Sequence, residues 1–161
     1  MFKVKIIAVG KIKEPYIEEG LRDYVQRIKP YAHIDIKEVK DEGGASKRIP
    51  KAERDRILAK EASGIRRHVS AGEHIIALDR KGKRLSSPQL AAYLSRLGSQ
   101  GQSRVGFVIG GSVGLDPAIL EAADTCLSFS TYTFPHQLFR LLLLEQVYRA
   151  FTITNGHPYH K

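Results

Sequence analysis

The sequence is short of the features that would tie it to membranes, secretion or metals. Its 161 residues hold one cysteine, Cys126, which excludes an internal disulfide framework and any cysteine-rich zinc or iron–sulfur centre. No metal site is expected, and without a thiol pair the reduced cytoplasm is the expected setting. Tryptophan is absent and the single methionine is Met1. No purely apolar run, Leu141–Leu144 included, approaches the roughly 20 residues of a membrane-spanning helix, so no membrane association is expected. Met1–Gly10 interleaves lysine with apolar residues and lacks the apolar block of a signal peptide. Acidic residues are also scarce, 17 against 26 Lys and Arg.

That imbalance gives a formal charge of +9 and a pI near 9.7. It is uneven along the chain. Residues 1–84 carry 21 basic and 13 acidic residues, whereas residues 85–161 carry 5 and 4. A basic half joined to a neutral, apolar half fits a polyanion-facing surface beside a separate core or ligand region. The plainer alternative is a basic protein kept dispersed by its lysines. At 42% hydrophobic and 27% charged, the chain has the composition of one ordinary globular domain.

Strand and helix patterns alternate throughout. Phe2–Val9 reads as a strand ending at Gly10, and Glu14–Ile28 as a helix with Pro15 in its first turn and Pro30 beyond its end. His33–Val39 alternates strictly, as an edge strand with one wet face does. Lys40–Ile49, with Gly43-Gly44, reads as a mobile loop, and Pro50–Arg66 as a charged helix. His74–Leu78 is a buried strand running into a loop at Asp79–Gly82. A helix follows from a Ser87 cap with Pro88 to about Leu97. Val105–Ile109 is the fourth strand, Asp116-Pro117 opens a short helix to about Ala123, and Thr125–Phe129 is the fifth strand. His136–Ile153 is the last helix, and a polar tail ends the chain. This alternation predicts an α/β fold, a parallel sheet with helices on both faces. Ligands of such sheets sit beyond the carboxyl ends of the strands.

The unusual residues cluster in the three loops at those ends. Gly110-Gly111 matches neither a Walker A loop nor a dinucleotide fingerprint, and serves either a tight turn or a ligand that presses on bare backbone. Arg80, Lys81, Lys83 and Arg84 surround Gly82, either as a solvated loop or as phosphate contacts at a pocket mouth. The last helix has no wide polar face, so a second copy of the chain is expected to cover it. Within it, Glu145 and Arg149 are spaced for an i,i+4 ion pair, leaving Arg140 as the functional candidate. The tail crowds His157, Tyr159 and His160 together without the carboxylates or cysteines that metal binding favours. Cys126 reads as plain core.

The run IGGSVGL, the segment LSFSTYTFPHQLFR with LLLEQVYRA close behind, and the terminal PYHK resemble the RlmH family across the whole chain. These are bacterial 23S rRNA pseudouridine N3-methyltransferases of the SPOUT class. The resemblance implies a single SPOUT domain over residues 1–161, with a C-terminal trefoil knot and the cofactor loops within about residues 74–161. It also implies a cytoplasmic homodimer that uses S-adenosyl-L-methionine and acts on the helix 69 hairpin of 23S rRNA in the assembled ribosome. Matched motif to motif, Leu78, Gly110, Phe129, Ser130, Thr131, Tyr132, Thr133 and Phe134 fall on cofactor-binding positions. The same resemblance points to His160 and Tyr159 for catalysis, with Arg140 stabilising charge on the base; an imidazole titrates near neutral pH and suits proton acceptance. Arg80, Lys81, Lys83 and Arg84 are the expected RNA contacts. Two alternatives remain beside this reading: a SPOUT enzyme acting on tRNA or another rRNA position, and a non-catalytic RNA-binding or ribosome-assembly factor.

Overall fold

The computed structural model describes residues 1–43 and 48–161, so the predicted loop at Lys40–Ile49 lies partly outside the described residues. Ten elements follow in order. They are β1 (Phe2–Val9), α1 (Pro15–Ile28), β2 (Ala32–Val39), α2 (Lys51–Arg66), β3 (His74–Arg84), α3 (Ser87–Ser99), β4 (Arg104–Ile109), α4 (Pro117–Ala122), β5 (Thr125–Ser128) and α5 (His136–Thr154). The five strands form one parallel sheet in the order β2-β1-β4-β3-β5. The predicted α/β class and the edge position of β2 both hold.

Central strands covered on both faces read as continuous apolar runs rather than alternations. Accordingly, Ile6–Val9 and Val105–Ile109 are buried throughout. One core lies between the sheet and α1, α3 and α5, around Phe107, Leu143, Leu144 and Val147. The second lies between the opposite face and α2 with the α4 region, around Val108, Ile65 and Ile119. The chain turns outward in both directions from the β1–β4 pair, which makes the carboxyl ends of those strands the topological switch point.

Two local expectations need correction. The predicted loop at Asp79–Gly82 is extended strand: β3 slips register after Leu78 and rejoins β5 with Lys83 opposite Leu127. Leu127 is therefore opposed by both Leu78 and Lys83. Gly82 passes so close to β5 that an added Cβ would lie 2.6 Å from the Leu127 carbonyl carbon. The cap of α3 is Ser86, not Ser87. Its hydroxyl accepts from the Gln89 N–H while the Gln89 side chain accepts from the Ser86 N–H, a reciprocal pair that satisfies two free donors. The last helix, α5, finds covers within its own chain. The sheet lies beneath it, Leu141 meets α1 at Gly20, and the Ser87 hydroxyl of α3 donates to Gln146. Its Leu142 remains on an open groove with Leu85 and Leu90.

Candidate functional site

The β3 stretch from Leu78 and the loops after β4 and β5 converge on one cavity of about 550 Å³. Its walls come from Leu78 to Arg80, from Ile109 to Leu115, and from Leu127 to Ser130 with Tyr132 to Phe134. Arg54 of α2 and His136 and Phe139 of α5 complete the lining. Seven of the eight sequence-predicted cofactor positions therefore line one space: Leu78, Gly110, Phe129, Ser130, Tyr132, Thr133 and Phe134. Thr131 is exposed on the same loop and does not line the cavity.

Each wall has a local cause. Gly110 ends β4 where only a bare backbone fits, because a Cβ would stand 2.5 Å from the Gly114 carbonyl oxygen. That approach closes a tight loop, bridged between Gly111 and Gly114, in which Gly114 takes φ +84°. L-residues with side chains rarely adopt that angle. The loop after β5 is shaped by short polar links. The Ser128 hydroxyl donates to the Ser130 carbonyl at 3.0 Å, and the Tyr132 N–H donates to the Ser130 hydroxyl at 2.9 Å. Phe139 packs on Phe129 and Phe134, with ring centroids 5.4 and 5.9 Å away, giving the cavity an aromatic wall.

Beneath the glycine loop lies a residue the sequence did not single out. Glu61 of α2 is only 2% exposed; its Oε2 accepts the Glu42 N–H at 3.0 Å, and among the described residues its Oε1 has no hydrogen-bond partner. Burial, and then the charges of Asp41 and Glu42, push its carboxyl above the ordinary range, against the lowering effect of the Glu42 N–H. Its apolar helical setting gave no signal in the sequence.

The expected RNA contacts, Arg80, Lys81, Lys83 and Arg84, lie exposed along the β3 extension, and Arg80 also lines the cavity. Among the described residues, none of the four pairs with a carboxylate. Arg140 sits elsewhere. It is 1% exposed; its Nη1 donates to Glu38 Oε2 at 2.8 Å and its Nη2 to the Gly10 carbonyl at 3.1 Å. It lines an adjoining cleft rather than the cavity itself.

The tail folds back on its own chain. Tyr159 donates to Glu145 Oε1 at 3.0 Å, meets Tyr24 at 3.3 Å and packs edge-on to Tyr148. Burial first, then these hydroxyl and carboxylate contacts, push its phenol far above the usual range, so it stays a neutral donor. His160 Nδ1 lies 3.1 Å from Arg149 Nη1, while Arg149 also holds Glu145 at 2.5 Å, the predicted ion pair. Within one chain neither Tyr159 nor His160 reaches the cavity lining. Cys126 is half-buried with its thiol raised by burial, as a core cysteine would be.

A cavity walled by glycine backbone and aromatic rings at the carboxyl ends of a parallel sheet, without a phosphate-gripping motif, defines an α/β protein with a small-molecule-sized site at the strand ends. A family model described as "Predicted SPOUT methyltransferase" matches residues 2–160, and the chain belongs to that family. It is a methyltransferase and therefore works with a methyl donor. Among similar proteins, "Ribosomal RNA large subunit methyltransferase H" of Carboxydothermus hydrogenoformans is 48% identical over 159 residues, 99% of each chain. The protein of the same name from Desulforamulus reducens is 45% identical over 161 residues, 100% of each chain. A solved structure of "a probable methylase family protein" from Haemophilus influenzae Rd KW20 matches with a TM-score of 0.57 and 12% identity, covering 98% of this chain and 70% of that one. That likeness speaks for the fold. The resemblance drawn from the sequence motifs is thus borne out.

Proposed function

We propose that this protein transfers a methyl group from S-adenosyl-L-methionine to N3 of a pseudouridine in the helix 69 hairpin of 23S rRNA, on the assembled ribosome in the cytoplasm. The observation that carries the reading is the convergence of these three segments on one cavity, in a chain close in sequence to named rRNA methyltransferases across its full length. The residues present suit the cofactor. Its adenosine carries no phosphate, and the cavity offers none of the lysine-bearing loops that phosphates need. Its volume falls in the range of small-molecule sites.

When bound, the cofactor supplies an electrophilic methyl group. The backbone from Gly110 to Gly114 and the residues Leu78, Phe129, Ser130, Tyr132, Thr133 and Phe134 would hold it, with Thr131 exposed on the same loop, and would set the alignment on which a direct transfer depends. The N3 proton of the base must leave as the new bond forms. In this proposal His160 takes it, with Tyr159 touching the base, both from the tail of a second copy that meets the cavity across a homodimer. An apolar groove of about 310 Å³ beside α5, including Leu85, Leu90 and Leu142, supports such an interface. Arg140, one cleft away, adds positive field on the imide oxygens without contact. Arg80, Lys81, Lys83 and Arg84 grip the RNA. The single domain carries a C-terminal trefoil knot, a reading supported by the close passage of Gly82 over β5.

Mass spectrometry of 23S rRNA from cells with and without the gene tests the reading. Loss of one methylpseudouridine is the expected result. Unchanged 23S rRNA with an altered tRNA would move the substrate to tRNA, and no altered RNA would overturn catalysis.

A further inference from the structure

Beside the cofactor cavity, at the same sheet edge, lies a second cleft of about 620 Å³ that the reaction as described does not use. It sits at the carboxyl ends of β1 and β2 and against the first turns of α5, on the other side of the switch point. His136 lines both spaces, so the two adjoin. Three lysines, Lys11, Lys13 and Lys40, stand on its rim, all exposed.

The segment bearing two of these lysines is a built feature. Gly10 leaves β1 at φ +99°, an angle that turns the chain sharply. The N–H groups of Ile12, Lys13 and Glu14 are then fixed by side chains. Ile12 donates to Glu38 Oε2 at 3.1 Å, and Lys13 and Glu14 donate to Gln137 Oε1 at 2.7 and 3.3 Å. Ile12 packs against the core, which leaves Lys11 and Lys13 facing water on either side of it.

The charges do not cancel. Glu38 is committed to Arg140 and the Ile12 N–H, and Asp41 to the Gly43 N–H. Lys40 has only Glu42 at 4.0 Å, and among the described residues Lys11 and Lys13 pair with no carboxylate. Arg140, whose Nε has no hydrogen-bond partner among the described residues, lies in the wall. Lysines held at fixed backbone positions around such a concavity form a site for polyanion phosphates.

We infer that this cleft binds the phosphate backbone of the RNA next to the target nucleotide, through Lys11, Lys13 and Lys40, while the base enters the cofactor cavity. The inference rests on the RNA-methylating function proposed above. It gives the enzyme a grip on each side of the reacting base, with the β3 cations on one side and the β1 lysines on the other.

The test compares three purified proteins binding to ribosomes across a salt series: wild type, Lys11→Gln/Lys13→Gln, and a control that removes the same charge elsewhere, Lys29→Gln/Arg67→Gln. The cleft variant is expected to bind at least about tenfold more weakly, with a salt slope shallower by roughly 1.5, while calorimetry shows unchanged cofactor affinity. Lys11→Arg/Lys13→Arg should retain binding. Equal losses in the cleft and control variants, or no loss in the cleft variant, overturn the inference and leave the function standing. Loss of cofactor affinity in the cleft variant also overturns it, since the lysines would then serve the cofactor site. Wild-type protein that binds no ribosomes would instead overturn the parent reading.

Discussion

The alpha carbon of Gly110 lies so close to the backbone of Gly114 that a methyl group there would stand 2.5 Å from the Gly114 carbonyl oxygen and 3.0 Å from Leu115 Cγ. The neighbour is backbone, which cannot swing aside as a long side chain would. Substitution must therefore open the loop that walls the cavity.

Gly110→Ala is expected to lower affinity for S-adenosylmethionine at least about tenfold, ~1.4 kcal/mol of binding free energy, while far-UV circular dichroism stays native. The clash is with the loop itself, not with the ligand directly. Full affinity in a folded variant would remove the glycine loop from the binding site.

Glu61 gives a pH prediction. Its carboxyl is raised in the folded state by burial, so the unfolded chain releases this proton at lower pH than the native protein does. In the window above the ordinary carboxylate range the native state then holds more protons than the unfolded state, and stability falls as pH rises. Glu61→Gln removes that contribution, keeps an acceptor for the Glu42 N–H, and stabilises the protein by about 1 kcal/mol above the window, the scale of a buried unpaired polar atom. Urea melts at a series of pH values measure both. A variant whose stability follows pH as wild type does would show that Glu61 carries no proton there.

Much of this architecture was legible because the strands are central and parallel. Runs such as Ile6–Val9 can only be buried on both faces, and the Asp116 cap with Pro117 marks its helix directly. The cavity was legible as loops, since Gly110 and the residues after β5 lie at strand ends. What escaped were relationships between distant residues. Nothing local tells that the cationic stretch after Leu78 runs on as strand, because its pairing depends on Leu127. Nothing near Arg140 announces Glu38, about a hundred positions away, so neither its burial nor its ion pair can be read from the sequence. Nor does the apolar ring of α5 show which of its faces α1 and α3 flank.

The strand extension leads to a third prediction. Arg80, Lys81, Lys83 and Arg84 are exposed and unpaired with carboxylates, and they sit on backbone held by β5 rather than on a floppy loop. Replacing all four with Gln should flatten the salt dependence of ribosome binding by roughly 3 units of slope and weaken binding at low salt at least about a hundredfold. Cofactor affinity should fall little, with Arg80 alone at the cavity rim. An unchanged salt slope would reduce the four to solvating charges.

The tail supplies the last prediction. A guanidinium only donates, so His160 accepts from Arg149 at Nδ1 and keeps its proton on Nε2. Held this way it has no free lone pair for a substrate proton, and it lies outside its own chain's cavity lining. To act as a base it must leave Arg149 and reach the cavity of a second copy. In the single chain Tyr159 anchors the folded-back tail: Tyr159→Phe loses the bond to Glu145 and should cost about 1.5–3 kcal/mol of stability, the scale for a hydrogen bond to a charged group. His160→Ala, at an exposed position, should leave the melting temperature and cofactor affinity nearly unchanged and lower methyl transfer about a hundredfold. Action across a dimer has a sharper signature. The Gly110→Ala and His160→Ala proteins should each be almost inactive alone, yet regain activity when mixed and allowed to exchange subunits. A mixed dimer then pairs an intact cavity with an intact tail. Mixing without recovery, in dimers shown by mass spectrometry to be mixed, would confine the tail to its own chain. Full activity of His160→Ala at limiting ribosome would remove it from the chemistry altogether.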